Sequence, residues 1–300
     1  MTAKRPPPPM RITDAVLRKW PLPRIHPTLG KDGRGDVLVI GGSRQIPGAP
    51  MLAGLGALRA GAGRLQIATG RSTSGLVAVN IPEARVIGIS EATSGELARG
   101  CHRALAREVE QANGIVVGPG MVDEGAAVDL IRHCMRVRPQ SSVVVDAAAL
   151  RIFAPRRPLS GRALPDIIAT PHAGEMAEVW DCSRAEVLEN PLSIAREAAA
   201  RLRIVITLKG ARTFVVAPDG TAFENVVGNA GLGTSGSGDV LSGIIAGLCA
   251  RGAQALQAAA WGVYLHAKAG DLLARRVGPI GFLAHELLTE IPGLLRKIAR

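Results

Sequence analysis

Short runs rich in Val and Ile alternate along the chain with longer segments rich in Ala, Leu and Gly. This alternation predicts an α/β fold with a mainly parallel central sheet flanked by helices on both faces. Glycine-rich and polar segments follow the predicted strands, which is where open α/β sheets form their ligand crevices. At 300 residues, 47% of them hydrophobic, the chain is long enough for one large core.

The apolar runs place strands at 36–41, 64–69, 84–89, 114–118, 142–146, 166–170 and 203–208. A further pair at 213–217 and 221–225, joined by Pro218, Asp219 and Gly220, predicts an antiparallel hairpin at one edge. Apolar residues three and four apart predict helices over 50–60, 95–111, 125–136, 184–202, 239–251, 254–276 and 285–295. Residues 1–30 hold four successive prolines at 6–9, a short amphipathic segment at 12–20, and Pro21, Pro23 and Pro27; they read as an ordered arm. With no internal repeat and no flexible linker, residues 31–300 read as a single domain.

Composition narrows the function classes. No window reaches the roughly 20 apolar residues of a membrane-spanning helix. After Lys4 and Arg5 the prolines stand where a signal peptide carries its apolar stretch, so the expected location is the cytoplasm. Cys101, Cys134, Cys182 and Cys249 lie far apart, which fits reduced thiols better than a disulfide framework or zinc knuckle. The net charge is +11, but only six of the 36 basic residues are lysine and the arginines are scattered. Aromatic residues make up 3% of the chain, which leaves few stacking platforms. No nucleic-acid partner is expected; a basic surface around an anionic small molecule accounts for the charge more simply.

The most informative segment is 229–243, with glycines at 231, 233, 236 and 238 ahead of an apolar helix. Glycines let backbone amides face an anion, and the positive end of the following helix points the same way. Asp239 at the helix start is placed to take a proton from a substrate hydroxyl while the amides of Gly236, Ser237 and Gly238 hold a phosphoryl group. The alternative is a plain N-cap. Gly231, Gly233 and Gly236 fit the spacing G-x-G-x-x-G, but no convincing strand precedes them and no acidic residue follows about 20 positions later, which disfavours a dinucleotide fold of that type. There is no G-x-x-x-x-G-K-[ST], and His285-Glu286 lacks the second histidine of a zinc protease.

The turn Gly236-Ser237-Gly238-Asp239 resembles the Gly-Thr-Gly-Asp signature of the ribokinase-like superfamily, with serine in the threonine position. Further pieces are Trp20-Pro21-Leu22-Pro23, Gly41-Gly42-Ser43, Pro47-Gly48-Ala49 and Arg59-Ala60-Gly61-Ala62-Gly63. Downstream come Val117-Gly118-Pro119-Gly120, Asp146-Ala147, Thr170-Pro171-His172-Ala173-Gly174-Glu175 and Leu208-Lys209-Gly210-Ala211-Arg212-Thr213. Together they resemble the NAD(P)H-hydrate dehydratases from about residue 12 to 295, and the resemblance implies a ribokinase-like fold.

That resemblance implies ADP- or ATP-dependent dehydration of (S)-NAD(P)H hydrate to NAD(P)H, with Mg2+ and Asp239 as the base. It implies that Ala49, Gly120, His172 and Asp239 meet the hydrated nucleotide, and that Lys209, Gly210, Ala211, Arg212, Thr213 and Gly238 meet ADP or ATP. Glu175 is a candidate to order water around magnesium, and Lys209 a point charge on phosphate. Each assignment has a structural alternative: a helix start at Ala49, a tight turn at Gly118-Pro119-Gly120, a structural histidine at 172, and an ordinary hairpin at 209–213. Asp146 reads as a cap or supporting group. Some members carry an epimerase domain in front, where this chain has only a short arm. The expectation is therefore the dehydratase alone, in functional partnership with an NAD(P)H-hydrate epimerase, as a homotetramer. The rival functions are a kinase for a thiazole- or pyrimidine-type alcohol and a nucleotide-binding sensor without turnover.

Overall fold

The computed structural model describes residues 7–25, 28, 30–137, 140–154 and 166–299. Lys4, Arg5, Pro6 and Pro27 lie outside the described residues. The ten strands are β1 (Met10–Arg11), β2 (Asp36–Ile40), β3 (Arg64–Gly70), β4 (Ala84–Ile89), β5 (Gly114–Val117), β6 (Ser142–Val145), β7 (Ile167–Ala169), β8 (Val205–Leu208), β9 (Thr213–Val216) and β10 (Ala222–Asn225). The helices are α1 (Asp14–Lys19), α2 (Gly48–Arg59), α3 (Arg71–Asn80), α4 (Ala106–Gln111), α5 (Glu124–Val137), α6 (Ala173–Trp180), α7 (Arg184–Glu189), α8 (Pro191–Leu202), α9 (Ser237–Ala250), α10 (Ala255–Arg276) and α11 (Ala284–Ile298).

The strands form one sheet in the order β1-β10-β9-β8-β7-β6-β5-β2-β3-β4. Every neighbouring pair is parallel except the two made by β9. Alternate side chains of each strand enter different cores: Val37, Val39, Val116 and Val144 face α2, α9, α10 and α11, whereas Leu38, Ile40, Ile115, Val117, Val143 and Val145 face α5, α6 and α8. Burial on both faces explains why these strands read as unbroken apolar runs. The predicted hairpin is β9–β10, but it is not the sheet margin, because β1 pairs in parallel with β10 and lies outside it. Beyond β1, Ile12 and Leu17 are buried, Trp20 stacks on Phe223 with ring centroids 5.3 Å apart, and the Trp261 indole donates to the Trp20 carbonyl oxygen at 3.0 Å.

Two helix expectations need correction, and two helices were missed. The segment 95–111 is helical only as a 3-10 turn at Cys101–Leu105 followed by α4. Gly95 and Gly100 stand at φ +87° and +79°, left-handed values that interrupt a right-handed helix. The segment 184–202 is two helices, because Pro191 has no amide to continue α7 and Asn190 leaves the helical region. Helices α3 and α6 were not anticipated: α3 holds Ser72, Thr73, Ser74 and Gly75, residues of low helix propensity, and α6 is only eight residues long.

Helices α2 and α9 run in parallel at a contact nearly free of side chains. A Cβ on Gly243 would lie 1.9 Å from the Ala53 carbonyl oxygen, and one on Gly247 would lie 2.5 Å from that of Ala57. A Cβ on Gly56 would in turn lie 2.7 Å from the Val240 carbonyl oxygen. The sequence alone did not reveal this small-residue contact. Gly243→Ala is therefore expected to lower the thermal midpoint by roughly 3–10 °C, from an overpacking cost of about 1–3 kcal/mol. Gly75→Ala, on exposed α3 with nothing within 4 Å, should leave it unchanged or slightly raised in the same melting series.

Candidate active site

The chain runs from β2 to β3 and β4 on one side and returns on the other with β5 onward, so the order reverses between β2 and β5. A ligand crevice is expected outside the carboxyl ends of these two strands. Their ends touch: the Gly42 amide donates to the Pro119 carbonyl oxygen at 2.7 Å, and the Met121 amide closes a turn onto Gly118 at 2.9 Å. Gly118 has no room for a side chain, since its Cβ would lie 1.9 Å from the Asp146 carbonyl oxygen. Gly120 faces the start of α2, with a Cβ position 2.7 Å from the Ile46 carbonyl oxygen and 3.0 Å from the Ala49 methyl. Ala49 and Gly120 are thus brought together, in a turn that is also structural.

The Gly-rich loop meets this crevice from the α9 side. Its N-cap is Gly236, at φ +86°, so Asp239 is the third residue of the helix and not its cap. The Ser237 amide donates to the Thr234 carbonyl oxygen at 3.3 Å and so is not the free anion donor the sequence suggested, whereas first-turn amides such as those of Gly238 and Asp239 lack a carbonyl one turn back within the helix and are suited to an anion. The four glycines do different work. Gly231 packs under Phe282, where a Cβ would be 2.4 Å from the ring, whereas Gly238 faces the site, with a Cβ position 3.4 Å from Lys209 Nζ. Ser237 is buried and its hydroxyl lies 2.9 Å from His266 Nε2, so it anchors the loop to α10. Burial drives His266 down to about 4, with the Ser237 hydrogen bond opposing and Lys209 adding to the fall; the imidazole is neutral at pH 7.

Lys209 is placed by β8, whose end is tied down by the Lys209 amide donating to the Pro171 carbonyl oxygen at 2.8 Å. Its ammonium lies 3.1 Å from Asp146 Oδ1 and 3.9 Å from Glu175 Oε2. Burial pulls this ammonium's pKa down, but Asp146, Glu175 and Asp239 outweigh it and hold the pKa above the ordinary lysine value. Asp239 responds in the opposite sense: burial first, then Asp146, push its carboxyl up to about 7 against the pull of Lys209, with Glu175 adding to the rise. Three carboxylates therefore surround one ammonium, so the chain's basic excess does not reside at this centre.

His172 and Glu175 form the capping box of α6. His172 Nδ1 accepts from the amides of Gly174 and Glu175 at 3.0 and 3.1 Å, and Glu175 Oε2 accepts from the His172 amide at 2.8 Å. A neutral imidazole that accepts at Nδ1 carries its proton on Nε2. The exposed ring thus offers a donor of fixed tautomer beside Lys209, to which its backbone is bridged in parallel. In the loop after β8, Thr213 bonds the Gly210 carbonyl oxygen at 3.2 Å, and Gly210 and Ala211 are exposed. Arg212 is turned to Glu224 and lies over the Phe214 ring at 5.3 Å, which leaves the loop backbone as its candidate contact. Among the described residues no three His, Cys, Asp or Glu side chains converge closely enough to hold a metal by themselves.

Sequence reasoning ranked Asp146 as a cap or support and missed His266 and Ser242. Asp146 is 3% exposed and touches both Lys209 and Ser242. A lone aspartate ending an apolar strand was the available signal; His266 and Ser242 lie inside helical runs and gave none.

A family model described as NAD(P)H-hydrate dehydratase matches residues 37–293. ADP-dependent (S)-NAD(P)H-hydrate dehydratase of Xanthomonas campestris is 45% identical over 291 residues, covering 96% of this chain and 97% of that protein. The crystal structure of the Bacillus subtilis ADP/ATP-dependent NAD(P)H-hydrate dehydratase, co-crystallised with ATP and Mg2+, superposes with a TM-score of 0.82 at 28% identity, covering 99% of this chain and all of that one. A ribokinase-like superfamily protein from Enterococcus faecalis superposes with a TM-score of 0.82 at 26% identity, covering 97% and 96%. With its parallel sheet sheathed on both faces and the match spanning β2 to α11, the chain has a ribokinase-like fold and belongs to the NAD(P)H-hydrate dehydratase family.

Proposed function

We propose that this chain dehydrates (S)-NAD(P)H hydrate to NAD(P)H at the expense of a nucleotide's terminal phosphoryl group, and that the reaction takes place where α2 and α9 begin. The observation that carries the reading is the convergence of Asp239, Gly238 and Lys209 beside the β2–β5 crevice. In this reading Ala49, Gly120 and His172 contact the hydrated nucleotide, with His172 donating from Nε2. The backbone of Lys209, Gly210, Ala211, Arg212 and Thr213, the Lys209 ammonium and Gly238 contact ADP or ATP.

Hydroxide leaves poorly from C6 of the hydrated ring. Ionised Asp239 takes the proton of the C6 hydroxyl as its oxygen attacks the terminal phosphorus, while the α9 amides and Lys209 receive the charge that develops on phosphate. The ring nitrogen's electron pair then expels phosphate from C6, C5 gives up a proton, and the dihydropyridine is restored. Magnesium, when bound with the nucleotide, supplies further positive charge to the phosphates. Three carboxylates against one ammonium suit a cation, and Glu175 is the residue that would hold it, through water. The catalytic domain is taken as 31–300 with residues 1–30 as its arm, in a cytoplasmic homo-oligomer, a tetramer by family resemblance. An S-specific dehydratase leaves the R hydrate untouched, so its working partner is an NAD(P)H-hydrate epimerase.

Recovery of reduced-nicotinamide absorbance from hydrated NADH, with Mg2+ and either ADP or ATP, tests the reading. The wild type should recover with at least one nucleotide, and Asp239→Asn should be slower by about 10²–10⁴-fold, the usual contribution of a general base. Stable phosphorylated product from a thiazole or pyrimidine alcohol, without recovery of NADH, would replace it by the kinase reading.

The pH dependence follows from the same carboxyl. Its pKa rises from 3.8 unfolded to about 7 folded, so the wild type's kcat/KM should fall tenfold per unit below about pH 7. The sign for stability is opposite: the folded state holds this proton more tightly, so its contribution is full below pH 3.8 and lost as pH rises through about 7. Asp239→Asn lacks that loss. It should melt a few degrees above wild type at pH 8 and show little advantage at pH 4; equal melting of the two proteins at both pH values would refute the buried-carboxylate account.

A further inference from the structure

Asp146 follows β6 with its backbone held by two hydrogen bonds and a constrained neighbour. Its amide donates to the Val117 carbonyl oxygen at 3.1 Å, its carbonyl accepts from the Ala149 amide at 3.1 Å, and the next residue, Ala147, is a non-glycine at φ +50°. A left-handed alanine persists only where its surroundings impose it. The carboxylate projects from this fixed point and is divided between two elements. Oδ1 accepts from Lys209 Nζ at 3.1 Å, and Oδ2 accepts from Ser242 Oγ at 2.6 Å. Ser242 stands one turn into α9 from Gly238, 3.0 Å from the Gly238 carbonyl oxygen. One buried carboxylate therefore touches both the cation and the helix turn that begins with the anion loop.

We propose that Asp146 is a positioning residue for phosphoryl transfer, whose two oxygens fix the Lys209 ammonium over Gly238 and clamp the first turn of α9 to the end of β6. A lysine is a point charge on a flexible four-carbon stem, so its address must be set by its partners. Three carboxylates compete for this ammonium, and Asp146 lies nearer to it than Glu175 does. Were Asp146 absent, Lys209 would be free to pair with Asp239, and an ion-paired base is a weaker one. By holding the ammonium, Asp146 keeps Lys209 for the donor's phosphates and leaves Asp239 free for the hydroxyl proton. It touches neither reactant in this scheme.

The inference rests on the proposed seat of the phosphates at Lys209 and Gly238, so the experiment separates the two. Steady-state kinetics on hydrated NADH with Mg2+ and ADP or ATP are measured for wild type, Asp146→Asn, Lys209→Met, the double variant and Ser242→Ala. Asp146→Asn keeps shape and loses charge. It should raise KM for the nucleotide and lower kcat by about tenfold each, as expected for loss of a charged hydrogen bond, with KM for hydrated NADH within about twofold of wild type. The double variant should be no worse than Lys209→Met, because Asp146 acts through that lysine. Ser242→Ala releases only the helix clamp; it should lower kcat severalfold with the nucleotide KM retained, and it gives the test if Asp146→Asn does not fold. Unchanged kinetics in Asp146→Asn or, should it not fold, in Ser242→Ala would overturn the inference, as would additive losses in the double variant. Lys209→Met with an unaltered nucleotide KM would instead remove the phosphate placement beneath it.

Discussion

Two parallel helices that touch through backbone determine where everything else in the site can be. Helices bearing ordinary side chains pack about 8–10 Å apart. Here Gly243 and Gly247 of α9 admit the Ala53 and Ala57 carbonyls of α2, and a single methyl group at either glycine would collide with an oxygen. Because the helices are parallel, closing the gap along their length also brings their N-termini side by side. One N-terminus carries Gly48 and Ala49 out of the β2 end; the other carries Ser237, Gly238 and Asp239 out of the glycine loop. Two positive helix ends then address one crevice, which suits the anionic nucleotides of the proposed reaction.

Charge completes what packing begins. Asp239 is buried beside Asp146 and Glu175, and the resulting pKa of about 7 places its base form within reach at neutral pH. The same burial means that the ionised site opposes the fold, a conflict expected where a residue is kept for chemistry and not for stability. The loop beneath it is fixed without adding to that conflict. His266 meets Ser237 as a neutral imidazole, because burial has lowered its pKa to about 4, so the anchor contributes a hydrogen bond and no field of its own. His172 Nδ1 is likewise occupied, as an acceptor, since two amides donate to that atom.

Much of this was legible in the sequence, and the reasons differ from place to place. The central strands were clear because burial on both faces makes them continuous apolar runs, and the hairpin because Pro218, Asp219 and Gly220 leave few alternatives to a turn. The glycine loop was clear because phosphate chemistry needs small residues ahead of a helix. Illegible were features set by partners distant in sequence. Met10 and Arg11 are a strand only because β10 offers an edge. His172 and Glu175 read as a binding motif in a loop, and their capping of α6 is visible only once the helix is formed. Gly243 and Ala53 pair across an offset that no local period shows. Asp146 looked like the end of a strand, since its partners lie 63 and 96 residues away.

The side chains also bear on why a nucleotide is consumed at all. Direct loss of water from the hydrated ring needs an acid to protonate the departing hydroxyl. Lys209 is a poor one, because the surrounding carboxylates hold its proton more tightly than water does around an ordinary lysine. His172 Nδ1 accepts from the Gly174 and Glu175 amides and has no proton of its own to give. Asp239, ionised above about pH 7, is better suited to take a proton than to give one. In the proposed reaction these described residues supply a base, an anion seat and a cation, and none of the three is suited to act as a strong acid. Converting the hydroxyl into a phosphate ester removes the need for that acid, since phosphate departs as a stabilised anion, which in the proposed site the start of α9 would receive.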